Sequence, residues 1–260
     1  MPEATPAPVE ATPEPTPEPT PTPVPLSGLE PVLAEMTASY GGEWGIWIKD
    51  LKTSEELNLN SHQMRSASLI KLFTAGRYFQ AVEAGEIQAT EKTEKYLQKM
   101  ISLSDNDAWV ALETAIGKGS YKTGYRSVTE FANSLGYPDT GRQIITGGSS
   151  NKRNLTSPES VGRVLYSIYA GTYVSRNCSA TVLDYMKNQH FRYKIPQELP
   201  EGIACANKTG ELNSIQNDAA IVYGEKKDYI IVIMSDGVSA NHVIDDIISI
   251  SAAVYEYLNS

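Results

Sequence analysis

The chain is poor in the residues that would bind a metal, build a disulfide framework or grip a nucleic acid. It holds two cysteines and three histidines in 260 residues. Cys178 and Cys205 are too few for a disulfide framework. One bridge is open to them, and two reduced thiols are the simpler expectation. His62, His190 and His242 show no metal-ligand spacing, alone or with the cysteines. Basic runs are missing and the formal net charge is −9, so no nucleic-acid partner is expected. No stretch approaches the roughly 20 apolar residues of a membrane span. No leader pattern opens the chain, which a mature protein would also lack. One absence is local: Thr140 to Pro158 contains neither Asp nor Glu.

What is abundant comes first in the chain. Residues 2–25 hold ten of the 15 prolines, mixed with Thr, Glu and Ala. Glu3, Glu10, Glu14 and Glu18 make this tail acidic, with no basic residue among positions 1–26. Such a composition buries no core. It favours extended polyproline II and acts as a semi-rigid spacer. Spacers of this kind resemble those that tether bacterial surface or secreted domains, so a place outside the cell is expected. A tail without a specific role is the plainer reading. With 41% hydrophobic residues, the remainder can support one sizeable core.

The folded part starts near Leu26. "SGLEPVLAEMTASYGG" reads as a helix with Leu29, Val32, Leu33 and Met36 on one face, ended by Gly41-Gly42. "EWGIWIKD" alternates as a strand, "DLKTSE" turns, and "ELNLN" returns. From Ser68 to about Gly171 the pattern is mainly helical, with a further helix at "CSATVLDYMKNQ". Strands resume at "GIACANKT", "DAAIVYG" and "DYIIVIMSD", and a helix from Val243 to about Leu258 closes the chain. Both ends therefore feed one antiparallel sheet, and the helical block is an insertion beside it. The expected class is α+β: a five-stranded antiparallel sheet flanked by helices, plus an all-helical subdomain. The expected division is a linker over 1–26 and one domain over 27–260. Within that domain an α/β part covers 27–61 and 190–260, and a helical part covers 62–189.

One lysine is out of place. In "RSASLIKLF", Lys71 stands among Leu69, Ile70, Leu72 and Phe73, one helical turn after Ser68. Residues three apart share a helix face. Burying a charged lysine costs several kcal/mol unless it is paired or loses its proton. A neutral amine beside a hydroxyl can take its proton, so the pair suggests a serine nucleophile with a lysine base. The competing reading is a lysine that snorkels from a partly exposed face. The pattern is cheap, since Ser149 and Lys152 repeat the spacing in a polar loop.

Two further motifs change the balance. Ser104-Asp105-Asn106 opens a helix, and Lys208-Thr209-Gly210 ends a strand. Ser-x-x-Lys, Ser-Asp-Asn and Lys-Thr-Gly form the penicillin-recognising set, and here they occur in that order. A second Lys-Thr-Gly, at residues 122–124, sits in a Gly-rich stretch between helices. With "MISLSDNDA", "LTSPESVGRVL" and "RYKIPQELPEGIACANKTGEL", residues 27–260 resemble class A β-lactamases and their close relatives. The resemblance implies the β-lactamase/transpeptidase fold. It implies that Ser68 is acylated, Lys71 accepts a proton and Ser104 relays one to the leaving nitrogen. Lys208 would stabilise charge beside Ser104. Asn106 would hold the substrate's side-chain amide and Thr209 its carboxylate. Gly210 would complete the substrate-binding strand. The backbone N–H groups of Ser68 and Glu211 would form the oxyanion hole. Asp105 would anchor its own loop. The implied substrate is a small-molecule β-lactam or a peptidoglycan stem peptide, handled by a monomer without metal or cofactor.

The chain also departs from that family. A class A β-lactamase frees its serine with a loop glutamate that activates water. Here that position falls on Thr146, in the acid-free segment, which is also short. The asparagine that braces the loop is replaced by Val110. Glu211 brings a carboxylate to the rim instead. It would repel an anionic substrate, bind a cationic one, stand in as a base, or do none of these. Impaired release of the acyl group is therefore expected. The alternative is a module that binds penicillin or senses wall peptide without turnover.

Overall fold

The computed structural model describes residues 1, 25–144, 152–239 and 242–260. Helix α1 spans Glu30–Tyr40, followed by strands β1 (Glu43–Asp50) and β2 (Glu56–Leu59). A two-residue strand β3 (Met64–Arg65) leads into a 3-10 turn, Ala67–Ile70, and helix α2 (Lys71–Glu83). Helices α3 (Glu91–Ser102), α4 (Asn106–Ile116) and α5 (Tyr121–Ser134) follow. Then come β4 (Gly141–Ile144), β5 (Lys152–Thr156), α6 (Pro158–Tyr169) and α7 (Arg176–Lys187). Strands β6 (Ala204–Leu212), β7 (Ile215–Tyr223) and β8 (Asp228–Asp236) precede the final helix α8 (Val243–Asn259).

Helix starts follow local chemistry. Thr90, Asp105, Ser120, Ser157 and Ser175 each cap a helix by accepting from the N–H three residues on. Each such cap satisfies a donor that the first turn would leave unpaired, worth about 1 kcal/mol. The second Lys-Thr-Gly belongs to the first turn of α5 rather than to a loop between helices. In α1 the buried face is Leu33 and Thr37, with Val32 43% exposed. Thr37 can replace an apolar residue there because its hydroxyl is satisfied by Leu33 O at 2.9 Å.

The main sheet is fully antiparallel in the order β2-β1-β8-β7-β6. One face packs Trp44, Ile46 and Ile48 against Leu29 and Leu33 before α8's Ile247 and Ile250. The other face packs Trp47 and Val232 against α6 and the helical segment, through residues such as Val161 and Phe73. With both faces covered, β1 is buried at every position but its first. The alternation visible in its sequence therefore sorts two cores rather than core from solvent. α6 approaches closely only because residue 162 is glycine: a Cβ there would lie 2.0 Å from the Trp47 ring. Cys178 and Cys205 are both free and buried.

A second sheet is not disclosed by periodicity. β3, β5 and β4 form a three-stranded sheet in that order. Ser66 N donates to Asn154 O at 2.8 Å, extending this pairing into the turn that carries Ser68. On the opposite side of that turn lies β6, the edge strand of the main sheet. Ser68 thus sits between the two sheets at the mouth of the helical segment. No helix among the described residues is long and apolar enough to cross a membrane.

Candidate active site

Ser68 lies in the 3-10 turn ahead of α2, and Lys71 is the first residue of α2. Two residues near them are held at positive φ without being glycine: Ala67 at 45° and Ser104 at 54°. Such conformations cost about 1–3 kcal/mol each and persist where the surroundings enforce them. Ser104 is enforced from three sides. Lys71 Nζ donates to its carbonyl at 2.6 Å, Lys208 Nζ donates to its hydroxyl at 2.7 Å, and the next residue, Asp105, caps α4 by accepting from Ala108 N at 2.7 Å. Asp105 is thus a loop anchor by geometry.

Lys71 is fully buried, so it does not snorkel. Its Nζ also donates to Asn106 Oδ1 at 2.8 Å. Burial pulls its pKa down to about 8, against the opposing pull of the Asp105 and Glu113 carboxylates. Lys208 is equally buried and its second hydrogen bond goes to Thr209 O at 2.8 Å. Burial, and then the neighbouring charge of Lys71, hold its pKa well below the usual lysine range. Two ammonium groups facing one serine cannot both stay charged cheaply. One of them is primed to act as a base near neutral pH.

A cavity of about 300 Å³ opens beside these groups, lined by Ser68, Asn106, Trp109, Arg153, Asn154 and Glu211 among others. Ser68 reaches it while Lys71 and Lys208 stay behind the wall. β6 is brought against the turn that carries Ser68 by Gly210. A Cβ on that residue would lie 2.7 Å from Ser66 O and 3.2 Å from the backbone nitrogens of Ser68 and Leu69. A larger open cleft of about 750 Å³ lies between α1 and the β1–β2 edge. Its imidazole, His62, is committed on both ring nitrogens, to Asn60 O and Glu43 Oε1, each at 2.7 Å.

This arrangement agrees with what the sequence matches. Residues 28–95 and 92–258 fit the beta-lactamase enzyme family. The chain belongs to that family. Solved structures of similar fold include a beta-lactamase from Sphaerobacter thermophilus DSM 20745, at 20% identity and a TM-score of 0.76 over 90% of this chain and 98% of that one. PBP-A aligns at 20% identity and a TM-score of 0.77, covering 91% and 97%. The TLA-1 extended-spectrum beta-lactamase aligns at 19% identity and a TM-score of 0.79, covering 90% and 99%. No curated protein matches the chain.

Within this family member, the eight residues singled out from sequence fall into two groups. Lys71, Ser104, Asn106 and Lys208 are joined by hydrogen bonds, with Thr209 attached through its carbonyl. Ser68, Asn106 and Glu211 line the cavity, and Gly210 packs against the backbone of the turn that carries Ser68. Position 146, where the loop glutamate is expected, lies outside the described residues, as does Ser149. The flanking segment is described. β4 and β5 pair antiparallel, and β5 puts a guanidinium and an amide, Arg153 and Asn154, at the cavity. Val110 is 39% exposed on α4, while Trp109 beside it faces the cavity.

Glu211 is the only carboxylate among the described residues lining this cavity. Its Oε1 accepts from Lys194 Nζ at 3.0 Å and from the Tyr193 hydroxyl. Burial alone would raise this carboxyl. The Lys194 charge and the two hydrogen bonds outweigh it and hold the group below its ordinary range. A carboxylate so stabilised is a poor base. Lys194 is fully buried and its remaining bond goes to Asn217 O at 3.2 Å. Glu211→Ala is therefore expected to destabilise the fold by about 1–2 kcal/mol, less than the ~3–5 of a fully buried pair because Glu211 is part-exposed. Urea unfolding of the two proteins checks this.

Sequence reasoning missed Trp109, Arg153, Asn154 and Lys194. Trp109 was within reach, because it follows Asn106 by three residues on one helix and so shares its face. Arg153 and Asn154 arrive through the pairing of β5 with β4, and Lys194 through a contact 17 residues away. Neither has a local signature.

Proposed function

We propose that the protein forms an acyl-enzyme at Ser68 with β-lactams or with D-Ala-D-Ala-type wall peptides, and releases it slowly. The Ser68 Oγ–carbonyl bond forms and the carbonyl–nitrogen bond breaks. Lys71 takes the Ser68 proton, and Ser104, beside Lys208, returns one to the leaving nitrogen. The N–H groups of Ser68 and Glu211 hold the oxyanion, Asn106 the side-chain amide and Thr209 the substrate carboxylate. The observation that carries this reading is the convergence of two buried lysines on Ser104, at 2.6 and 2.7 Å, behind the cavity that holds Ser68. Burying two cations side by side is costly, and proton transfer at a serine is the use that fits them.

Slow release is supported by the carboxylates at hand. Glu211 is tied to Lys194 and Tyr193, and the β5 residues at the rim are not acids. A PBP-A variant is known as an acyl-enzyme complex with penicillin G, which makes that compound a suitable probe. In this reading the domain works outside the membrane, as a monomer on its proline-rich spacer. The test follows intact mass after mixing with benzylpenicillin. The expected result is an adduct of the whole drug that persists through successive time points and is missing in Ser68→Ala. Rapid loss of the adduct with accumulating hydrolysed penicillin overturns slow release. A wild-type protein that forms neither adduct nor product, like Ser68→Ala, overturns acylation and favours a wall-peptide-recognition module.

A further inference from the structure

Glu113 is a buried acid that the chemistry above does not use. It lies on α4, two turns after Asn106, and is 1% exposed. Its Oε1 accepts from Trp109 Nε1 at 2.8 Å and from Thr74 Oγ1 at 3.0 Å. Its Oε2 is buried without a hydrogen-bond partner. Trp109 stands between this carboxyl and the cavity. One side of the indole meets Lys71, whose Nζ lies 5.4 Å from the ring centre. The Arg142 guanidinium lies 5.0 Å from the same ring.

A carboxyl in this place costs stability that an apolar residue would not. Its surroundings say what it does. Thr74 follows Lys71 by one turn of α2, so the two donors to Oε1 come from the helix that carries Lys71 and from the wall of the Ser68 cavity. Trp109 lines the Ser68 cavity and Glu113 does not. Glu113 acts through its neighbours. We propose that Glu113 is a positioning residue for Lys71, locking Trp109 against it and supplying the counter-charge that sets when Lys71 gives up its proton. This rests on Ser68 being acylated with Lys71 as acceptor.

The other charges around the pair must be counted. Lys71 faces Glu113 from α4, Asp105 from the cap before α4, and Lys208 from β6. Glu113 faces Lys71 from α2, Arg142 from β4 and Tyr121 from α5. Burial raises Glu113 to about 7, opposed first by Arg142 and then by its hydrogen bonds and Lys71. Lys71 in turn feels the Glu113 charge, which raises its pKa against the pull of burial. Deleting that charge removes a contribution that holds the Lys71 proton on. The Lys71 pKa must fall, and the rising limb of acylation must move to lower pH.

The experiment uses the full chain and Glu113→Gln. The lysine side chains carry a carbon-13 label at Cε, and the Lys71 signal is identified by its loss in Lys71→Arg. The expected result is a downward shift of about one unit in the Lys71 titration, matched by the same shift in the pH profile of benzylpenicillin adduct formation. Thr74→Val keeps the shape and the charge but removes one donor from the carboxylate, so it should shift Lys71 the same way by less. A Lys71 titration unmoved within about 0.2 unit in both variants, with melting temperature retained, overturns the proposal. So does an adduct rate that falls equally at every pH, which marks a merely structural role. If wild type forms no adduct, acylation fails, and the lysine titration still decides whether Glu113 governs Lys71.

Discussion

Lys71→Ala is expected to slow adduct formation on Ser68 by about 10²–10⁴-fold, the usual weight of a positioned proton acceptor. The wild-type rate should rise with pH through about 8, where Lys71 loses its proton. The sign follows from the acceptor role. Below that pH the amine is charged and cannot accept, and above it the amine is free. In Lys71→Ala the limb should disappear, leaving a low rate without an inflection near 8. Rapid-quench mass spectrometry across pH 6–10 checks both features. An inflection that survives in Lys71→Ala would assign the proton acceptor elsewhere, with Lys208 the nearest candidate because it shares Ser104 at 2.7 Å.

Gly210→Ala carries the second large effect, about 10²–10³-fold in adduct formation, the cost of losing one oxyanion donor. The new Cβ would sit 2.7 Å from Ser66 O, which is backbone and cannot rotate away. β6 must therefore move off the turn that carries Ser68. That displaces the Glu211 N–H relative to the Ser68 N–H, although neither residue is itself substituted. Penicillin binding before acylation should be less affected than the acylation step itself. Stopped-flow measurement over a range of drug concentrations separates the two. An unchanged maximal rate would remove the oxyanion role from this strand.

Much of this molecule was legible without coordinates, for definite reasons. Helix starts were readable because their caps are local: Asp105 and Ser157 each bond an N–H three residues on. The strands at the chain's two ends were readable because β-branched and aromatic runs are bounded by turn residues. The three motifs were readable because each keeps its chemistry within four residues. Other features were hidden in sequence. Val32 carries the right period and is exposed, because α1 turns Thr37 inward. The three-stranded sheet was invisible because β3 has only two residues and takes its pairing from β5, some 90 positions away.

The sequence by itself determined the helices, the strands of the main sheet and the family, and it singled out Ser68, Lys71 and Lys208, since all of these are written in short contiguous patterns. Only the tertiary structure decided their chemistry. It buries Lys71 and Lys208 against one serine and so lowers both. It ties Glu211 to Lys194 and weakens it as a base. It sets Glu113 behind Trp109, where burial raises the acid and Lys71 feels its charge. The physical reason is common to all three. A side chain's pKa is set by the water it loses and the charges it faces, and both are supplied by residues far away in the chain.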